Sequence, residues 1–181
     1  MLGLAFLGTS ILFLIIISIY ILSKNKASWQ TFSLPKIFWI STILIALSSY
    51  TLYVAKKAIE KDEFKQYRLM LGSTFGLGIL FCALQIWGWQ IMVGANIVFK
   101  NSLAGSFLYV ISGLHLLHIV GGLFFLGVLL KDALKNKKYV DAFVYSVNPP
   151  NQLKMKLIFR YWHFVDILWI VLFLFLVFQH S

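Results

Sequence analysis

A chain of 181 residues that is 60% hydrophobic and 17% aromatic, with only 12% charged residues and a mean hydropathy of +0.85, has too few polar side chains to cover the surface of a water-soluble domain. A net charge of +10 would point to nucleic acid in a soluble protein, but here the basic residues sit between apolar runs and report membrane topology instead. The single cysteine, Cys82, lies inside an apolar run, which excludes an internal disulfide and a cysteine-based metal cluster.

A membrane-spanning helix needs about 20 mostly apolar residues. Five stretches meet that requirement, at about 1–22, 37–55, 69–93, 104–130 and 157–179. They predict an all-α membrane protein, a bundle of five transmembrane helices in a single transmembrane domain over residues 1–181, with a connecting loop at about 131–156. The first stretch, "MLGLAFLGTSILFLIIISIYIL", has no charge, and its Thr9, Ser10 and Ser18 hydroxyls can bond back to their own helix, so it can face lipid. It lacks a basic start and a small-residue cleavage site and reads as a retained helix rather than a signal peptide. "NKASWQTFSLPK" is a short turn, with Trp29 suited to the headgroup region and Pro35 placed to begin the second helix. That helix ends in the mixed-charge segment "KKAIEKDEFKQYR", expected to be a helical extension with a solvated face.

The third stretch carries Gly72, Gly76 and Gly78; the fourth carries Gly105, Ser112, Gly113, Gly121 and Gly122. Small residues let helix backbones approach closely in lipid, so both are expected to be interior helices, with Gly72, Gly76, Gly105, Gly113, Gly121 and Gly122 as packing positions. The following loop ends in "NPPNQLKMK", where Pro149 and Pro150 are expected to forbid helix and force an extended turn.

Of the 16 lysines and arginines, twelve fall on one side of this arrangement: Lys56, Lys57, Lys61, Lys65, Arg68, Lys131, Lys135, Lys137, Lys138, Lys154, Lys156 and Arg160. Only Lys24, Lys26, Lys36 and Lys100 fall on the other. The positive-inside rule therefore predicts a cytoplasmic N-terminus and an external C-terminus.

The last stretch opens "RYWHFVDILW", placing charged and polar groups in its first two turns. Intramembrane ionisable residues normally face protein, headgroup or water. Measured at 1.5 Å per residue from the basic side, Gln85 and His115 lie roughly 22–24 Å deep, His118 about 18 Å, Asp166 about 13 Å and His163 about 9 Å. The depths predict a buried polar seam of Gln85, His115, His118, His163 and Asp166, with Asp166 paired to a histidine and Gln85 bonded to His115. His163 and Asp166, three apart on one face, can also satisfy each other. Arg160, with Trp162, His163 and Lys156, forms a candidate lipid-headgroup site, since Arg160 can snorkel to anionic headgroups. Proton or metal chemistry at these groups is the third reading. Haem ligation is disfavoured because His115 and His118 share one helix and His163 is too shallow to oppose either. No zinc or copper spacing, phosphate loop, nucleophile elbow or carboxylate pair supports catalysis by the chain alone, and no broken helices or inverted halves support transport.

Three segments carry a family resemblance. "GSFLYVISGLHLLHIVGGL", Gly105 to Leu123, resembles the penultimate helix of subunit III of the haem-copper oxidases, with its Gly-Leu-His-x-x-His centre. "RYWHFVDILW" resembles that subunit's last helix, and "LGILFCALQIWGW" the Leu-Gly…Gln segment of the helix before. The likeness is specific in the last three spans, and five helices suit the short form of this subunit. It implies a non-catalytic subunit that stabilises the catalytic subunit of a proton-pumping terminal oxidase, which reduces oxygen to water. It also implies haem and copper in the partner subunits with no catalytic, cofactor or metal residues in this chain, phospholipids held between helices, and a bacterial inner (cytoplasmic) membrane. The expected partners are oxidase subunit I as main contact, other oxidase subunits and a larger respiratory supercomplex, with no nucleic acid. Two departures matter. The family's Ser-Glu pair in the first helix is here Ser10 and Ile11, and its glutamate after the glutamine of the third is replaced at Gly88. Roles that need those carboxylates are not carried over. The competing classes are an independent membrane redox protein with a b-type haem, a small transporter using the same histidines, and an interaction-only scaffold.

Overall fold

The computed structural model describes residues 2–24, 34–97 and 103–180. Six helices follow in order: α1 (Leu2–Ser23), α2 (Ile37–Glu60), α3 (Phe64–Gly94), α4 (Leu103–Lys135), α5 (Tyr139–Val147) and α6 (Pro149–His180). All but α5 are long and apolar enough to cross a membrane, as the hydropathy predicts, and no strand occurs among the described residues. Trp29, placed in the headgroup region by its sequence, and Lys26 and Lys100, which enter the charge count, lie outside the described residues.

The spanning helices outrun the bilayer. α3, α4 and α6 have 31, 33 and 32 residues, or about 46–50 Å of helix against a hydrocarbon core of about 30 Å. Their surplus sits at the basic end, where Lys, Gln and Glu are good helix formers and nothing in water stops the helix. The segments expected to end at 55 and 130 therefore reach Glu60 and Lys135, and those expected to start at 69 and 157 begin at Phe64 and Pro149. Between α2 and α3 the chain reverses in three residues. Asp62 takes the left-handed conformation (φ 59°), which aspartate tolerates better than most residues, and the Glu63 N–H closes on the Ala58 carbonyl at 2.9 Å.

The region 131–156 is mostly helical, which corrects the expected loop. Asn148 is extended (φ −68°, ψ 121°) because a following proline disfavours the helical region. Pro149 and Pro150 then occupy the first turn of α6, where a missing N–H breaks no intrahelical bond. The Asn148 carbonyl starts the new helix by accepting the N–H groups of Asn151 and Gln152, each at 3.0 Å.

α2, α3, α4 and α6 form a ring in which α2 packs on α3, α3 on α4, α4 on α6 and α6 back on α2, while α1 lies outside against α4 and α6. The ring encloses two apolar layers, one around Leu52, Leu71, Leu126 and Trp162 toward the basic end and one around Ile45, Phe81, Ile119 and Trp169 beyond it. A smaller cluster of Phe13, Ile111 and Leu172 joins α1. Ile11, where the family's helix-one acid would sit, is exposed on the outer face.

The close helix approaches are fewer than the small residues predict. A Cβ on Gly78 would lie 2.8 Å from both Leu123 Cδ2 and Trp162 Cη2, and one on Gly122 3.0 Å from Tyr161 Cε1 and 3.1 Å from Trp162. The Trp162 indole is thus held between the backbones of α3 and α4. Of the other predicted packing glycines, Gly72, Gly113 and Gly121 leave ordinary contact distances and Gly76 open space. Gly88, read from the sequence only as a missing acid, is a third tight position, 2.9 Å from Phe38 Cζ.

Candidate functional site

The polar atoms of the interior are organised by α2, a helix that hydropathy does not single out. Toward α6, the Trp162 indole N–H donates to Ser48 Oγ (3.1 Å), the Trp169 N–H to Thr42 Oγ1 (3.1 Å), and His163 Nδ1 lies 2.6 Å from Ser49 Oγ. Toward α3, Gln85 Nε2 donates to Ser41 Oγ (3.0 Å), and the Thr51 and Thr74 hydroxyls bond at 2.8 Å. In both directions, rising numbers on α2 meet falling numbers on its neighbour, the register of antiparallel helices. Ser41, Thr42 and Ser48 each donate their own proton to a backbone carbonyl one turn back, at 3.0, 2.7 and 2.8 Å. That leaves the oxygen lone pairs to accept from the neighbouring helix. Serine and threonine pass unnoticed through a hydropathy scan; the recurrence of a hydroxyl pair after seven residues, 41/42 and 48/49, was the available signal.

The predicted seam is divided rather than continuous. Gln85 is buried and bonded to Ser41, not to His115. His115 is fully buried but packs as an aromatic, stacked on Trp169 (centroids 4.9 Å, 29°) and edge-on to Phe81 (5.9 Å), with neither ring nitrogen hydrogen-bonded. Matched depth does not fix the direction a side chain takes around its helix. Asp166 is buried with neither oxygen hydrogen-bonded, so it pairs with no histidine. The Ser49 hydroxyl lies beside its carboxyl. His118 turns toward α1, donating Nδ1–H to the Leu114 carbonyl (2.7 Å) beside Phe13, and its own carbonyl accepts the Tyr161 hydroxyl at 2.9 Å.

The predicted headgroup site is also divided. Arg160 and Lys156 are exposed at the basic end, and Lys156 lines a groove of about 340 Å³ with Lys56 between the end of α2 and the start of α6. Trp162 does not belong to it. Its indole is only 1% exposed, drawn inward by the space over Gly78 and Gly122 and by its bond to Ser48. His163 is half-buried and bonded to Ser49 rather than turned to the surface.

The arrangement offers one chemical capacity beyond packing. Asp166, Ser49 and His163 bring a carboxyl, a hydroxyl and an imidazole together between α2 and α6, groups that can hold and exchange a proton away from lipid. His115 and His118 occupy unlike surroundings and form no opposed pair of ligands. Interhelical hydrogen bonds in membranes are worth about 0.6 kcal/mol on average and up to about 1.7. A double-mutant cycle of Ser48→Ala and Trp162→Phe, read by denaturant unfolding, is expected to give a coupling of about 1 kcal/mol; a coupling indistinguishable from zero would mean that shape alone seats Trp162.

At the basic end a second polar cluster pins α5. Asp132 of α4 accepts the Lys154 ammonium (2.6 Å) and the Tyr145 hydroxyl (2.9 Å), and Asn151 donates to the Tyr145 carbonyl. Burial raises the Tyr145 phenol above its ordinary pKa, and its bond to the Asp132 carboxylate raises it further.

The family model described as cytochrome c oxidase subunit III matches residues 27–181, which takes in α2 to α6. Among curated proteins, the chain is 28% identical over 171 residues to cytochrome c oxidase subunit 3 of Bacillus sp. strain PS3, covering 92% of this chain and 78% of that protein. It is 30% identical over 136 residues to the protein of the same name from Alkalihalophilus pseudofirmus, covering 75% of this chain and 62% of the relative. The protein of that name from Thermostichus vulcanus is 28% identical over 135 residues, covering 74% of this chain and 61% of the relative.

Proposed function

The chain belongs to the cytochrome c oxidase subunit III family, and from that premise we propose that it works as the non-catalytic third subunit of a proton-pumping haem-copper oxidase. In that role it packs against the catalytic subunit I and other oxidase subunits, stabilises them and retains phospholipid. The observation that carries this reading is the extent of the family match, which covers four of the five candidate spans and all four helices of the central ring. The whole chain acts as one transmembrane domain of the bacterial cytoplasmic membrane, with its basic end in the cytoplasm. Haem and copper belong to the partner subunits. The polar seam is retained in divided form, with Gln85 and His163 tied to α2 and His118 linked through its carbonyl to α6. Arg160 and Lys156 meet anionic headgroups at the basic rim. A b-type cytochrome or small transporter built on the same histidines is not favoured.

Gentle detergent extraction from native membranes, followed by native electrophoresis with visible spectroscopy, tests this. The chain is expected to migrate with a haem- and copper-containing oxidase and to carry no haem once separated from it. A haem signal in the isolated chain, or its absence from every oxidase band, overturns the proposal.

A further inference from the structure

The unbonded carboxyl of Asp166 lies on a line of side chains that reaches the basic end of the molecule. On α6, Phe159, His163 and Asp166 stand about one turn apart on the side toward α2, so Asp166 lies about 10 Å along the helix from Phe159. On α2, Lys56 and Ser49 are two turns apart and run the other way. Phe159 and Lys56 line the groove of about 340 Å³ between these helices. Beyond it, His163 is half-buried and near enough to Lys56 to feel its charge. Its Nδ1 is 2.6 Å from Ser49 Oγ, its Nε2 makes no hydrogen bond among the described residues, and Ser49 lies beside the Asp166 carboxyl.

The line is open at one end and closed at the other. Past Asp166, the same face of α6 continues as Trp169, Phe173 and Leu176, all buried, with the Trp169 N–H already given to Thr42. The charged groups near the open end are Lys56 and Lys156, with Glu60 and Asp62 on the groove's rim. From the other two helices of the ring, His115 is turned to Trp169 and Gln85 to Ser41, so neither extends the line.

We propose that Asp166 is a proton-binding site that fills and empties from the basic side only, through His163 and Ser49. Filling starts with His163 protonated on Nδ1 and Asp166 ionised. His163 Nε2 takes a proton from solvent at the groove, Nδ1–H passes its proton to Ser49 Oγ, and the Ser49 hydroxyl proton moves to the carboxylate. His163 is left neutral with its proton on Nε2, and Asp166 is left as the neutral acid; emptying is the reverse. The site requires only that α2 and α6 cross a membrane, not that the chain assembles with an oxidase.

The test uses the full chain in vesicles of uniform orientation, followed by infrared spectroscopy after D2O replaces water on one side. The carboxylic C=O band that Asp166→Asn removes is expected to shift on deuteration when D2O meets the basic end, and to stay when D2O meets the other. His163→Phe and Ser49→Ala are each expected to slow that shift about a hundredfold, the low end of what a positioned proton-transfer group contributes. His118→Phe, whose side chain faces α1, leaves it unchanged. Loosened packing admits solvent and speeds the shift, so slowing marks the relay rather than a structural defect. Absence of an Asp166 band at every pH tested, equal exchange from both sides, or exchange that is unchanged or faster in both variants overturns the proposal. Because exchange is read on the chain itself, failure to find an oxidase partner leaves this result standing.

Discussion

Gly78→Val is expected to prevent the bundle from closing, whereas Gly76→Val, two residues away on the same helix, is expected to be tolerated. The Gly78 position already leaves only 2.8 Å to Trp162 and to Leu123, and Trp162 cannot retreat because Gly122 bounds its other face and Ser48 holds its N–H. Inserting methyl groups into such a slot costs about 1–3 kcal/mol, and loss of the Ser48 bond adds up to about 1.7. Against the marginal stability of natural domains, about 5–15 kcal/mol, that is a large fraction. Gly76 has nothing within 4 Å of a new Cβ. The two variants, compared by membrane expression and thermal unfolding in detergent, should differ sharply; equal behaviour would mean that the Trp162 slot yields more readily than its distances imply.

Asp166→Leu is expected to stabilise the subunit thermally and to impair the enzyme it serves. Neither carboxyl oxygen is hydrogen-bonded and the side chain is 1% exposed, so the folded chain carries a buried polar group that its own packing does not compensate. Leaving such a group unsatisfied costs about 1–3 kcal/mol, which an apolar residue of similar size recovers. A residue kept at that cost inside a membrane helix is expected to act in function. Sustained turnover of the assembled oxidase is therefore expected to fall while the melting temperature rises. Asp166→Asn, polar but unable to release a proton, separates the two effects: it should reproduce the loss of turnover without the gain in stability. A lower melting temperature for the leucine variant would return Asp166 to a structural role.

The sequence carried the spans because their signal is additive over 20 residues, and it carried the family through the spaced residues of the last three helices. It failed where direction around a helix decides the outcome. Gln85 and His115 share a depth, but one turns to Ser41 and the other to Trp169. Trp162 carries the same side chain as an interfacial anchor, and only the glycines opposite it reveal an interior one. The hydroxyls of α2 vanish in any average of hydropathy, although they make most of the side-chain bonds between α2 and its neighbours. Pro149 and Pro150 mislead because proline breaks a helix from within yet starts one comfortably.

The closed ring of α2, α3, α4 and α6 also has a history written into it. α2 and α3 are joined by three residues and can pair as soon as both have been made, since short-range contacts cost little chain entropy. α6 is synthesised after the other spans, yet it supplies the Trp162 indole that fills the gap between Gly78 and Gly122 and engages Ser48, and the Trp169 indole that engages Thr42. Until it enters the bilayer, the growing chain holds an open trough with unclaimed hydroxyl acceptors along one wall. A chain that stops short of α6 therefore lacks the side chains that close its ring, and its interior stays open.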